Sequence, residues 1–320
     1  MIRCFRPAYS IWRIGLLLAI ALLVFGGCGS SAPVQKGPAI DEDLERFNRA
    51  AQQAFDNGRL QQAISFYQKA LDRAYIRDDF AAVLDAQYNM AICLINLQFY
   101  AEAFEVVQQA KTEMAMSGYS RAVDFLLLEV TILYLRQDSD AAWKITDQIL
   151  AATPRASSIV QSKTHFLQGL IASKQSDTDK LREAIVSIGQ PNLPLLRADR
   201  HELLGHLAMA EQNWDEAVNA FEAATELRRE ALDYRGMAKS LALAGRASEK
   251  AGHADEASVL YLRAGRSAAL QGQFDDALFW LNQAEQIANN AGEAQIVQEA
   301  RIYLRELHES KGVSQNRSDK

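Results

Sequence analysis

Residues 214–224 read WDEAVNAFEAA and place Ala217 and Ala224 seven positions apart, with Phe221 between them. Seven positions are close to two turns of an α-helix, so the two small side chains lie on one face. Small residues on that face let a second helix approach to within about 8–10 Å, and the phenylalanine fills the remaining space. The stretch therefore predicts a helix packed tightly against a neighbour.

The same spacing of small, bulky and small positions recurs along the chain, with one set ending in isoleucine. The further sets are Ala63/Tyr67/Ala70, Ala103/Val107/Ala110, Ala142/Thr146/Ile149, Ala257/Tyr261/Ala264 and Ala277/Leu281/Ala284. The first alanines of successive sets lie 40, 39, 75, 40 and 20 residues apart. The interval of 75 predicts a degenerate unit, and the interval of 20 predicts that one helix, near 255–270, is shared by two units. One helical hairpin cannot bury its own apolar face, so the pattern predicts a stack.

The distribution of proline favours helices throughout the body. Six prolines occur, and none falls within 39–153 or 195–320. Both ranges are rich in alanine, leucine, glutamine, glutamate and arginine, which are strong helix formers. We therefore expect an all-α body.

The repeated positions resemble the second half of the tetratricopeptide repeat (TPR) consensus. Gly169, Gly205 and Gly245 match the glycine of its first half, where the two helices touch most closely, and Pro154 matches the proline that closes a repeat. The resemblance covers roughly residues 44–290. It implies an all-α, right-handed α-solenoid of about six to seven TPR-like helical hairpins with a C-terminal capping helix.

The array divides into N-terminal hairpins in residues 41–190 and C-terminal hairpins with the cap in 191–308, followed by a polar tail in 309–320. Residues 186–197 contain two prolines and a glycine and predict a kink between the halves. We place the cap at 295–307, where apolar residues lie on one side and charges on the other. Gly118 and Gly236 are each predicted to end a helix.

The first 27 residues have the features of an export signal. Three arginines precede the twelve uncharged residues 14–25, which are too short to span a bilayer as a helix. The following Val24-Phe25-Gly26-Gly27-Cys28 resembles the lipobox of bacterial lipoproteins, with phenylalanine where leucine is usual. The resemblance implies that Cys28 becomes an acylated N-terminus, followed by a flexible tether in 28–40. An ordinary secretory signal or an uncleaved anchor remains the alternative.

The resemblance also implies a destination. Gly29 follows the cysteine, where the rule for retention in the enterobacterial inner membrane requires aspartate, so we expect an outer-membrane lipoprotein facing the periplasm. The net charge of the chain is −6, and removal of the signal's three arginines leaves −9. Such an acidic body disfavours nucleic acid binding. Cys4 leaves with the signal, so Cys93 stands alone in an apolar run and is predicted to be a buried structural thiol.

Motifs for catalysis are absent from the sequence. His201 and His206 lie five residues apart, about 140° around a helix, so they do not form the zinc pair of HExxH proteases. No phosphate-binding loop or nucleophile elbow occurs. The acidic runs that begin at Asp41, Asp138 and Asp177 each precede a helical stretch and are predicted to cap helices. We expect no catalytic residues, metal or cofactor.

In TPR arrays the first helix of every hairpin lines the inner face, so the resemblance implies a groove for a partner. The predicted groove residues are Asn48, Gln52, Tyr88, Tyr134, Phe166, Glu202, His206 and Arg246. The middle of this set is apolar, which suits an amphipathic helix or an extended peptide with apolar anchors. Tyr88, Tyr134 and Phe166 are equally compatible with a place in the core. The Lys/Asn/Arg set with which chaperone-binding members hold a C-terminal carboxylate is missing at these positions.

The leading hypothesis is a non-enzymatic, membrane-anchored scaffold that binds a protein of an envelope machine, such as the apparatus for outer-membrane protein insertion, pilus or secretin assembly, or cell-wall synthesis. Two alternatives remain. The first is a binder of peptidoglycan fragments or another small ligand, and the second is an enzyme with an unrecognised site.

Overall fold

The computed structural model describes residues 41–118, 122–152 and 156–318. These residues form fourteen α-helices and no strand. The helices are α1 (Glu42–Asp56), α2 (Leu60–Ile76), α3 (Phe80–Asn96), α4 (Tyr100–Ser117), α5 (Ala122–Leu135), α6 (Ser139–Ala151), α7 (Ser158–Lys174), α8 (Thr178–Ile188), α9 (Pro194–Ala210), α10 (Trp214–Glu230), α11 (Tyr234–Ala251), α12 (Ala254–Leu270), α13 (Phe274–Ala291) and α14 (Ala294–Ser318). The export signal, Cys28, the tether and Pro154 lie outside the described residues.

The helices pair in chain order into hairpins, each made of an odd-numbered first helix and an even-numbered second helix. Each helix packs against its neighbours in the chain, so the described residues form an α-solenoid of seven hairpins. The predicted all-α hairpin array is confirmed. Helix α12 packs on both α11 and α13, as the interval of 20 residues predicted.

Most turns between the described helices share one backbone pattern. In the turn after α10, Leu232 is left-handed with φ of 59°, and the N–H of Asp233 donates to the carbonyl of Arg228 at 2.9 Å. This bond satisfies a carbonyl that the helix end leaves without a partner, and the left-handed residue reverses the chain. Glycine takes the left-handed place at some turns and polar residues take it at others, as Gln98 and Ser176 do.

The small and bulky sets lie in the interfaces between helices. Every alanine of the six sets is fully buried, and Phe221, Tyr67 and Tyr261 are at most 5% exposed. A buried aromatic side chain contributes roughly 1.5–3 kcal/mol, and its removal also leaves a cavity. The packing that the sequence predicted is thus confirmed for all six sets.

Two of the three glycines that match the TPR consensus contact the second helix of their hairpin as predicted. A Cβ atom at Gly205 would lie 2.5 Å from the ring of Phe221, and one at Gly245 would lie 3.3 Å from the ring of Tyr261. Gly169 instead faces Leu203 of the next first helix, at 2.4 Å. The missing side chains at Gly205 and Gly169 therefore allow the close approach of α9 to α10 and of α7 to α9.

The helix-end predictions have mixed outcomes. Gly118 does end α4, in a left-handed conformation with φ of 69°. The prediction for Gly236 is wrong, because this residue lies in the first turn of α11, where its N–H donates to the capping carboxylate of Asp233 at 2.9 Å. Asp138 and Asp177 cap α6 and α8 as predicted.

The C-terminal half departs from prediction at its end. Helix α14 runs from Ala294 to Ser318, beyond the cap predicted at 295–307 and into the predicted tail, because no proline interrupts it. Residues 189–193 form a short connection between α8 and α9, and the stack continues across it through contacts of α9 with α7 and α8; the kink between the halves stays a prediction. Cys93 is fully buried, as predicted, and burial raises the pKa of its thiol to about 12.

The array also contacts itself between distant hairpins. The guanidinium of Arg235, at the start of α11, donates to the side-chain oxygen of Asn96, at the end of α3. The turn at Gly58 lies against Gln271 and Gly272, between α12 and α13. We call these contacts the seam. Seven hairpins therefore wind far enough to bring the first two against the sixth and seventh.

Candidate functional site

The first helices of four successive hairpins surround one cavity of about 540 Å³. We call it the inner cavity. Its wall comes from α5, α7, α9 and α11, with additional residues from the start and middle of α10. The lining residues are Tyr134, Leu170, Ser173, Lys174, Ser176, His206, Met209, Ala210, Trp214, Phe221, Leu243, Arg246 and Lys250. This volume lies within the range of roughly 300–1,000 Å³ that small-ligand sites occupy.

The structure brings three of the predicted groove residues together in this wall. Tyr134, His206 and Arg246 come from the third, fifth and sixth hairpins and line the same cavity. Their common location follows from repeat packing, which places equivalent positions of first helices on one face. Their part in binding stays a prediction.

The other five predicted residues do not line the inner cavity. Asn48 is exposed on α1, and the Gln52 amide donates to Asp56 at 2.8 Å. Tyr88 is half-buried with its ring edge-on to Phe125, centroids 5.9 Å apart. Phe166 packs against the apolar core of the fourth hairpin. Tyr88, Phe166 and Tyr134 are all half-buried and pack against core clusters, so the choice between groove and core stays open for these three residues.

The fifth residue, Glu202, is held by an ion-pair network. Its carboxylate lies 2.6 Å from the guanidinium of Arg228, a side chain only 7% exposed. Arg228 also lies 3.3 Å from Asp199 and 3.7 Å from Asp233, and it donates to Ser240 at 2.6 Å. Glu202 thus pairs with a buried cation, which requires such partners in its low-dielectric site, and its predicted part in binding stays a prediction.

Burial is the largest cause of the pKa shifts of Asp199 and His206, which lie in or beside this network. Burial raises the pKa of Asp199, although Lys163 and Arg228 act against the shift. Burial lowers the pKa of His206, with Glu202 opposing at 3.9 Å and with Arg246 and Arg228 adding to the shift. His206 is therefore favoured in its neutral form, with its ring edge-on to Phe221 at a centroid distance of 5.3 Å.

Three cations lie in the wall of the inner cavity, although the chain as a whole is acidic. The ammonium of Lys174 donates to the carbonyl of Tyr134 at 3.3 Å and lies 5.0 Å from the centre of that residue's ring. Arg246 and Lys250 lie one turn apart on α11, so they share a face. Within the described ranges, neither of these two forms an ion pair with an acidic side chain.

A second cavity of about 500 Å³ lies along the seam and includes Tyr100, Arg235, Lys239 and Asp276 in its wall. Among the described residues, no group of three or more histidine, cysteine and acidic side chains is placed to hold a metal ion. No helix in the described ranges combines the length and apolar composition needed to cross a bilayer.

Sequence reasoning missed Arg228, Lys174, Trp214 and Lys250. Arg228 lies in a second helix, outside the positions considered for the groove, and its acidic partners are spread over 199–233. Lys174 and Lys250 lie near the ends of first helices, beyond the last consensus groove position. Extending the search by one turn at each first helix would have found both lysines.

Comparison with known proteins supports the fold and identifies no family for the chain. No protein-family model matches the chain, and no curated protein matches it significantly in sequence. Among solved structures, a Rap protein complexed with Competence and Sporulation Factor is similar over 84% of this chain and 99% of its own, with 11% identity and a TM-score of 0.50. A tetratricopeptide repeat protein from Parabacteroides merdae is similar over 82% of this chain and all of its own, with 15% identity and a TM-score of 0.44. The likeness to the Rap protein, at 11% identity, shows a shared helical-repeat fold and nothing beyond the fold.

Proposed function

We propose that this chain is a lipid-anchored, non-enzymatic scaffold of the bacterial cell envelope that holds a segment of a partner protein in the inner cavity. The observation that carries the proposal is the convergence of Tyr134, His206 and Arg246, from three hairpins, on one cavity. A cavity lined by apolar, aromatic and charged side chains offers anchor sites for a peptide together with polar contacts that orient it. The Rap protein of similar fold is itself complexed with a named factor.

The envelope location rests on the sequence of the N-terminus. An acyl group at Cys28 would hold the protein at a membrane, since each buried methylene contributes about 0.8 kcal/mol and two or more chains give stable anchoring. The tether in 28–40 would leave the helical array free to meet its partner. Gly29 supports the outer membrane as the destination, with the array facing the periplasm.

The anchor is tested by labelling cells with a palmitate analogue. Wild type should incorporate the label and sediment with outer membranes, whereas Cys28→Ser should do neither. Cys93→Ser is the matched control, because that thiol is buried in α3 and should leave labelling unchanged. Equal labelling of wild type and Cys28→Ser would refute the anchor.

Partner binding is tested with a photoreactive amino acid placed at Tyr134, inside the cavity, or at Val186, which is 77% exposed on α8. Cross-linking in cells should yield one dominant adduct from position 134 that is absent from position 186. Leu170→Glu, which puts an extra charge into the cavity, should abolish that adduct. An adduct that forms equally from position 186, or that survives Leu170→Glu, would refute binding in the cavity.

A further inference from the structure

We propose that the inner cavity takes a peptide segment carrying a carboxylate beside an apolar side chain, with the carboxylate held among Lys174, Arg246 and Lys250. This inference rests on the proposed function and specifies the chemistry of the partner segment.

Three positively charged side chains from two helices line the inner cavity. Lys174 comes from the end of α7, whereas Arg246 and Lys250 come from one face of α11, and all three line the same cavity. The net charge of the chain is −6, so a local group of three cations stands out from an acidic background. Like charges at a shared site repel one another, and an anion between them relieves that repulsion.

Within the described ranges, no acidic side chain forms an ion pair with Lys174, Arg246 or Lys250. Glu202, one turn before His206, is 2.6 Å from Arg228. In the part of the chain that the structure describes, Glu249, which lies between Arg246 and Lys250 on α11, forms no ion pair with either of them. Lys174 contacts the ring and carbonyl of Tyr134, and neither group carries a charge that would neutralise it. The cations therefore remain able to bind a carboxylate from outside the chain.

Apolar side chains line the inner cavity beside the cations. Leu170, Met209 and Leu243 come from three successive first helices and line the cavity, with Trp214 at the start of α10. An apolar side chain of the bound segment would lie against them, and the adjacent carboxylate would reach the cations. A long polyanion is disfavoured by the acidic remainder of the surface, so a short carboxylate-bearing segment fits better.

The test uses the full chain in detergent and three fluorescent peptides, in which leucine alternates with glutamate, glutamine or lysine. The glutamate peptide should bind at least about tenfold more tightly than the glutamine peptide, and its affinity should fall as salt is raised. The double variant Arg246→Gln/Lys250→Gln should lose about tenfold in affinity for the glutamate peptide alone. The control Lys239→Gln/Arg263→Gln removes the same charge from α11 and α12 outside the cavity and should bind like wild type.

The outcomes separate this inference from the proposed function. Equal binding of the glutamate and glutamine peptides, abolished by Leu170→Glu, would overturn the carboxylate preference and leave a peptide-binding cavity standing. Displacement of the glutamate peptide by inorganic phosphate alone would assign the cations to a small-anion site and overturn the inference. Binding of no peptide, together with a cellular adduct that survives Leu170→Glu, would overturn both. Leu170 and Arg263 are half-buried and the other replaced side chains are exposed, so circular dichroism melting verifies that each variant is folded.

Discussion

Gly58, at the first turn of the array, lies directly against the backbone carbonyl of Gln271, at the end of α12. A Cβ atom at position 58 would be 2.6 Å from that carbonyl oxygen, closer than van der Waals contact allows. The two backbones can therefore meet only because residue 58 has no side chain. Together with the Arg235–Asn96 hydrogen bond, this approach brings the first two hairpins against the sixth and seventh.

We predict that Gly58→Ala weakens the seam. Gly118→Ala is the matched control, because its φ of +69° is close to the +71° of Gly58, yet among the described residues no atom beyond its own chain neighbours lies within 4 Å of its Cβ position. The control should cost only the left-handed strain of about 1 kcal/mol. Gly58→Ala should cost more and should speed amide hydrogen exchange in the seam turns at 96–99 and 271–273. Identical stability and exchange in the two variants would show that the seam contact contributes nothing.

A second prediction concerns the close approach of α9 and α10. In Gly205→Ala the new methyl group would lie 2.5 Å from the ring of Phe221, so we expect a loss of about 1–3 kcal/mol in the free energy of unfolding. Gly245→Ala places its methyl group 3.3 Å from Tyr261, and the gain in helix propensity of about 1 kcal/mol offsets the crowding. Urea denaturation of both variants measures the difference, and equal losses would contradict this account of the glycines.

A third prediction concerns the buried cation. Arg228→Met should lower the free energy of unfolding by about 3–5 kcal/mol, because it removes the cation that pairs with Glu202 and leaves Asp199 with Lys163 alone. Arg229→Met is the control, since that neighbouring side chain is 45% exposed and, among the described residues, pairs only with Glu226 on the same helix. It should change stability by at most about 0.5 kcal/mol. Chemical denaturation at neutral pH checks both values.

A fourth prediction concerns pH. Burial lowers the pKa of His206 and of His201 below the ordinary value of 6.5, with the neighbouring Arg200 and Arg197 adding to the shift at His201. Below pH 6.5 the unfolded chain therefore binds protons that the folded chain excludes, and the fold loses stability as pH falls. The variant His201→Gln/His206→Gln should lose less stability between pH 7 and pH 5 than wild type. Parallel stability curves across that window would contradict the assignment.

The parts of the fold that depend on local spacing could be predicted from the sequence. Ala217, Phe221 and Ala224 lie within two helical turns, and such spacing alone specifies a face that must pack. The first-helix positions of Tyr134, His206 and Arg246 followed in the same way from the repeat.

Features that depend on how far the array winds were not predictable from local spacing. The meeting of Gly58 with Gln271 accumulates from small rotations across six hairpins. The pairing of Arg228 with Asp199 requires knowing which faces of α9 and α10 meet. The ion pair of Glu202 with Arg228 depends on the same meeting of faces, which the repeat position of Glu202 does not reveal.

The central claim is that repeat packing gathers the first helices of the third to sixth hairpins around one cavity. It is tested most directly by cross-linking Tyr134→Cys to Arg246→Cys with a short bis-maleimide, in a full chain whose native cysteines are replaced. The account predicts efficient intramolecular cross-linking of this pair and none for Tyr134→Cys with Val186→Cys, because Val186 is exposed on a second helix. Failure of the first pair to cross-link, or equal yields from the two pairs, would contradict it.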